Sequence, residues 1–284
     1  MKFTCSVAAV IMACSFTVPA DAATDPTWAY HARGKGMVTT SQWDTIWETC
    51  GGDRQSPIDI DTTGVFNRPT TFPLRLHGQC TTYNLSEPHE PLEVDATGGD
   101  CGASLRGEVY DLNQFHLHAP SEHTIDGKQL DGEIHFVHMN SDTEALLVVG
   151  VFLEIGPVSD KWMGPVLDAL EQVNSTAVTD AIVVNLESYA TMIQKAVVKG
   201  AIYNYPGSLT TPGCEENADW WVVEKPITIT SADFDRLHKD LVEYPITDNG
   251  KNARPVQPLN DRIVTRYRFG DPKKPVSTFD LSSM

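Results

Sequence analysis

Two short runs constrain this chain more than any other feature: Gln114-Phe115-His116-Leu117-His118 and Glu133-Ile134-His135-Phe136-Val137-His138. Side chains on a β-strand alternate faces with period two, so His116 and His118 share one face of the first run. On the second run Glu133, His135 and Val137 share a face, while Ile134, Phe136 and His138 take the other. The connection from Ala119 to Gly132 contains the turn-forming pair Asp126-Gly127, so the two runs can lie as antiparallel neighbours. His135 then meets His116 and His118. Three neutral imidazoles at one point, with no fourth protein ligand, make a catalytic zinc site that keeps an open position for water. The plain alternative is three unrelated core or surface histidines. Against it stand the third histidine on a partner strand and the polar residues beside the set, since Gln114 and Glu133 are placed to accept the free N–H groups of His116 and His135. His138 faces the other way and reads as packed core. His31, His77, His123 and His238 lack comparable context and read as structural or exposed.

The rest of the chain agrees with a sheet. Further strand-like segments run from Leu146 to Leu153, Ala181 to Val184 and Trp220 to Thr230, punctuated by Pro, Gly and Asn. Two stretches carry helical spacing. Ser159 to Val173 places Trp162, Met163, Val166, Leu167 and Leu170 on one side, and Ser231 to Tyr244 does so with Phe234, Leu237 and Leu241. Ser231 is the expected N-cap of the second, with Asp233 in its first turn. No repeat, low-complexity tract or linker marks a boundary, which predicts one mostly β (α+β) domain with peripheral helices.

Met1-Lys2, an apolar stretch from Val7 to Val18, and Ala20-Asp21-Ala22 have the form of a secretory signal peptide. The expected layout is a signal over residues 1–22 and a domain over residues 23–284, secreted or periplasmic. No later segment approaches the about 20 apolar residues of a membrane helix. Removing residues 1–22 leaves Cys50, Cys80, Cys101 and Cys214, an even set in an oxidising compartment, hence two disulfides among three possible pairings. A formal charge of −17 excludes nucleic acid and anionic membrane as partners, because both require clustered Lys and Arg. Asn84-Leu85-Ser86 and Asn174-Ser175-Thr176 are glycosylation acceptors in a eukaryotic host. No motif speaks to oligomeric state.

The segment Gln114 to Asn140, read with Gln55-Ser56-Pro57-Ile58-Asp59-Ile60 and Tyr205-Pro206-Gly207-Ser208-Leu209-Thr210-Thr211-Pro212, resembles the α-class carbonic anhydrases. The likeness runs from Trp28-Ala29-Tyr30 to Asn260-Asp261-Arg262. It implies a large, twisted, predominantly antiparallel sheet with short helices around it and a conical cleft leading to zinc. The implied reaction is reversible hydration of carbon dioxide to bicarbonate and a proton, by hydroxide formed on zinc, which lowers the pKa of its water to about 7; carbonic anhydrase is itself the standard example of that figure.

The resemblance also implies roles. Thr210 would accept a hydrogen bond from the nucleophile and donate its own proton to Glu122, Thr211 would contact bicarbonate, and Val137, Val148, Leu209 and Trp221 would form the apolar wall for carbon dioxide. His89 would shuttle the proton, its ordinary pKa near 6.5 suiting transfer at neutral pH, and Tyr30 would help organise the water chain. Cys50 and Cys214 stand where secreted and bacterial members carry a disulfide, which leaves Cys80 with Cys101 by elimination. Glu215-Glu216-Asn217-Ala218-Asp219 reads as an insertion ahead of Trp221.

Two other readings compete. His116-x-His118-x-x-x-Glu122 also fits the cupin signature, in which Glu122 would bind iron or manganese and a late histidine would complete the set; the one late candidate, His238, lies in a predicted helix. The second is a non-catalytic binding protein on the same fold, against which stand all three histidines together with Thr210 and Glu122.

Overall fold

The computed structural model describes residues 28–31, 36–68, 73–86, 93–176 and 182–268, the side chains of 86 and 173–176 excepted. The expected signal peptide, His89 and the Asn174 side chain lie outside the described residues.

Twelve strands form one large sheet. In chain order they are β1 (Phe66–Arg68), β2 (Leu74–His77), β3 (Cys80–Ser86), β4 (Glu93–Gly99), β5 (Gly102–Leu105) and β6 (Glu108–His118). There follow β7 (Gly132–Met139), β8 (Leu146–Ile155), β9 (Ile182–Val184), β10 (Ala201–Gly207), β11 (Ala218–Ile229) and β12 (Thr265–Arg268). Their order across the sheet is β9-β3-β4-β6-β7-β8-β11-β10-β12-β1, with β5 also on β6 and β2 on β5. Most neighbours are antiparallel, but β8–β11 and β12–β1 are parallel, so the sheet is mixed.

The central strands are covered on both faces, and their sequences show it. β8 is an apolar run, Leu-Leu-Val-Val-Gly-Val-Phe-Leu, as a doubly buried strand requires. β7 is equally buried yet carries Glu133, His135 and His138, and buried polar groups of that kind need partners. Ile134 and Phe136 of β7 join Leu147, Val149, Trp221 and Val223 in a core on one face. Val137, Val148, Trp220 and Val222 join Tyr203 and Tyr205 on the other.

Three helices cover the first face. α1 spans Met163–Thr176, α2 Tyr189–Val198 and α3 Ser231–Glu243. α1 starts four residues later than its spacing predicts, because Asp160 is held by Thr228 and its side chain by the Trp162 amide. α3 keeps its predicted extent, but its N-cap is Thr230, whose hydroxyl accepts from the Asp233 amide. α2 was not anticipated from the sequence. Ser188 caps it, and Tyr189, Met192, Ile193, Ala196 and Val197 supply its buried stripe. Among the described residues no helix is long and apolar enough to cross a membrane. Cys50 is bonded to Cys214 and Cys80 to Cys101, each with Cα atoms 4.9 Å apart.

Candidate metal centre

β6 and β7 pair antiparallel, with His116 opposite His135 and His118 opposite Glu133. One ligand nitrogen of each of His116, His118 and His135 lies within 4.8 Å of the others. The outer nitrogen of each ring faces an acceptor. His116 Nδ1 is 2.8 Å from Gln114 Oε1, His118 Nδ1 is 2.6 Å from the Asn252 carbonyl, and His135 Nε2 is 3.1 Å from Glu133 Oε1. Each facing atom is an acceptor, which favours a proton on the outer nitrogen, with the His135 Nε2 contact at ion-pair distance but outside hydrogen-bond geometry. The inner nitrogens are then bare lone pairs. His135 Nδ1 faces His116 Nε2 at 3.3 Å, and His118 Nε2 is buried without a hydrogen-bond partner. Converging, desolvated lone pairs are costly unless a cation joins them, and three imidazoles suit zinc.

Electrostatics point the same way. Burial, reinforced by the neighbouring rings of His118 and His135, holds His116 well below the ordinary imidazole range. Burial also lowers His135, with Glu133 opposing it. Both rings are neutral at neutral pH, as ligation requires.

Glu133 anchors this shell. Its Oε1 is 2.8 Å from His123 Nδ1, and Oε2 accepts from the amides of Glu122 and His123 at 3.0 and 2.9 Å. Burial pushes this carboxyl up, but His123, His135 and the hydrogen bonds outweigh it and hold it well below the usual range. Gly150 stands opposite His135 on β8; a Cβ there would meet Glu133 Oε1 at 2.6 Å, so only glycine leaves room for the carboxylate. His123 Nε2 continues to the Tyr205 hydroxyl at 2.6 Å, and that oxygen lies 2.9 Å from Ser56 Oγ. His123, Glu133 and His135 also cluster closely enough for a metal, but their facing atoms are spent on one another.

Glu122 is buried beside the histidines. Its Oε1 accepts from the Arg254 amide at 2.8 Å, while Oε2 has no hydrogen-bond partner and lies 3.6 Å from His118 Nε2 and 3.9 Å from His135 Nδ1. Thr210 is buried in the loop after β10. That loop is fixed by Leu209 N to Glu215 O at 3.1 Å, Cys214 N to Thr211 O at 2.9 Å, and Trp220 Nε1 to Ser208 O at 2.9 Å. Leu209 and Thr211 are half-buried beside it. Tyr30 packs against Trp28 and Trp43 with ring centroids 5.5 and 5.9 Å away.

One expectation is corrected. Trp221 does not face the histidines: it is level with Val149, on the helix-covered face, 5.3 Å from the Tyr267 ring. Trp220 is level with Val148 and stands 4.7 Å from both the His135 and His123 rings. β11 begins at Ala218, and its register with β8 holds from Leu146–Ala218 through Val151–Val223. Period-two alternation decides which indole reaches the site. His138 is packed core, with Nδ1 3.0 Å from the Leu147 carbonyl and Nε2 3.0 Å from the Tyr189 hydroxyl. His123, Asn252, Arg254, Tyr205 and Ser56 were not anticipated as parts of the site. The local signals were the segments around Ser56-Pro57 and Tyr205-Pro206, already singled out for other reasons.

A buried three-histidine cluster able to hold a metal ion sits on a mixed sheet. The family model described as eukaryotic-type carbonic anhydrase matches residues 38–268. Carbonic anhydrase 7 of Homo sapiens is 32% identical over 266 residues, covering 83% of this chain and 97% of that protein. The carbonic anhydrase of Pectobacterium atrosepticum is 29% identical over 274 residues, covering 93% and 99%. The solved α-carbonic anhydrase of Photobacterium profundum superposes with a TM-score of 0.65 at 30% identity, covering 84% of this chain and 99% of that one. The chain belongs to the carbonic anhydrase family, whose enzymes interconvert carbon dioxide and bicarbonate.

Proposed function

We propose that His116, His118 and His135 hold one zinc ion and that the chain hydrates carbon dioxide reversibly to bicarbonate and a proton. The observation that carries this reading is the convergence of three imidazole nitrogens whose outer nitrogens all face acceptors. When bound, zinc supplies the acidity that makes a nucleophile of water at neutral pH. The chain's own residues do the rest. Gln114, the Asn252 carbonyl and Glu133 fix the three ring orientations. As the family likeness implies, Thr210 would accept a hydrogen bond from the nucleophile and donate its proton to Glu122 Oε2, an oxygen that no group, Thr210 included, hydrogen-bonds in the structure; the other oxygen is pinned by the Arg254 amide. Val137, Val148, Leu209 and Trp220 keep water from the carbon dioxide side, Thr211 contacts bicarbonate, Tyr30 orders the exit water, and His89 takes the proton to buffer.

We also assign residues 1–22 to a cleaved export signal and residues 23–284 to the enzyme, acting outside the cytoplasm. The two disulfides agree with an oxidising compartment. Elemental analysis with stopped-flow hydration, before and after chelation, tests the reading. About one zinc per chain and chelator-sensitive hydration are expected, with His89→Ala slowing turnover chiefly in weak buffer and added imidazole restoring it. Zinc without hydration would identify a binding protein on this fold, and bound iron or manganese would favour a cupin-like site using Glu122.

A further inference from the structure

Arg254 lies in the irregular segment between α3 and β12 and is 4% exposed. Its guanidinium donates to Gln55 Oε1 at 2.8 Å, the Ser56 carbonyl at 2.9 Å and the Cys50 carbonyl at 3.1 Å, and stacks 5.5 Å from the centre of the Trp43 ring. Every hydrogen-bond acceptor is a neutral carbonyl, and the Glu122 carboxylate attracts the guanidinium without an ion-pair contact. What it joins is the N-terminal segment. Gln55 Nε2 donates in turn to the Thr49 and Cys214 carbonyls, so the fork is clamped to the Cys50–Cys214 bridge and through it to the Thr210 loop.

The main chain of the same segment serves the metal site twice. The Asn252 carbonyl accepts from His118 Nδ1, and the Arg254 amide donates to Glu122 Oε1. Asn252 moors its own end, its side chain donating to the Leu117 carbonyl at 2.9 Å and accepting from the Ala119 amide at 2.8 Å. The Arg254 end is moored by its guanidinium. Since Glu122 and Thr210 sit on separate stretches of chain, something must set one against the other, and Arg254 bonds Glu122 directly and the Thr210 loop through Gln55 and the Cys50–Cys214 bridge.

We propose that Arg254 is a positioning residue that sets the Glu122 carboxylate against the Thr210 hydroxyl. The inference rests on the hydration reading above. A planar fork with three carbonyl acceptors is not reproduced by lysine, which offers a single ammonium, so Arg254→Lys keeps the charge and loses the clamp. A double-mutant cycle with Thr210→Ala separates positioning from general stability. Arg254→Lys is expected to retain zinc and to lower kcat by about 10-fold, with a smaller change in KM. In the Thr210→Ala background, where there is no hydroxyl left to align, the same substitution should cost less than about 2-fold. Gln55→Met, which removes one acceptor of the fork far from the histidines, should show the same non-additivity on a smaller scale and decides the matter if Arg254→Lys does not fold. Additive losses with an active wild type overturn the inference alone. A wild type without chelator-sensitive hydration overturns the functional reading together with it.

Discussion

β7 carries two buried histidines three positions apart, and they make opposite use of the same burial. His135 is 1% exposed and His138 is 0% exposed. His138 spends both nitrogens, one on the Leu147 carbonyl and one on the Tyr189 hydroxyl. His135 has Glu133 Oε1 beside Nε2 at 3.1 Å, without hydrogen-bond geometry, and leaves Nδ1 facing His116 Nε2. Burial therefore does not mark a ligand. The mark is a desolvated lone pair for which the protein provides no proton.

The comparison can be broken most sharply at His135 itself. His135→Ala removes a third of the protein ligation and should lose both zinc and chelator-sensitive hydration; a variant that keeps a full metal complement on elemental analysis would refute the assignment. A smaller effect is expected one contact further out. Glu133→Gln keeps the shape but surrenders the carboxylate that accepts from His135, and metal affinity should fall by roughly 10- to 100-fold in a competitive chelator titration. Unchanged affinity would mean that the Glu133 contact does not tune the ligand.

His138→Leu should leave zinc content and turnover as they are. It strands the Leu147 carbonyl and costs about 1–3 kcal/mol of stability at pH 7. The contrast sharpens in acid. Burial holds His138 down to about 4, against an ordinary value of 6.5. Between those pH values the unfolded chain binds the extra proton, so stability is full above about pH 6.5 and falls as pH drops toward 4, by roughly 3 kcal/mol from this group. His116 and His135 are depressed in the same direction and add to the wild-type slope. The informative quantity is therefore the difference between wild type and His138→Leu in denaturant unfolding at pH 7 and pH 4. That difference should shrink or reverse at pH 4; parallel losses would show that His138 is not held neutral in the fold.

Much of this architecture was legible because it is local. Alternation along Gln114–His118 and Glu133–His138 determines which side chains share a face, and the structure pairs His116 with His135 across the two strands. β8, β11 and α3 fall close to their predicted limits for the same reason, since an apolar period is a property of neighbouring residues. Where two readings of one period differ by a single residue, the result inverts: Trp220 and Trp221 are adjacent, and the register with Val148 and Val149 sends them to opposite faces. α2 went unseen because its buried stripe is short and follows a segment without a strong start signal apart from Ser188.

By itself the sequence determined that a sheet would present three histidines on facing strands, that Gln114 and Glu133 would stand beside them, and that His138 would turn away. These follow from backbone geometry within a few residues. Only the tertiary structure decided that the Asn252 carbonyl would hold His118 from 134 residues away and that the Arg254 amide would hold Glu122 from 132 residues away. It also decided that His123 and Tyr205 would extend the shell toward Ser56. Such contacts depend on where the whole chain path closes on itself, and a backbone carbonyl or amide has no side-chain identity through which a sequence could announce it.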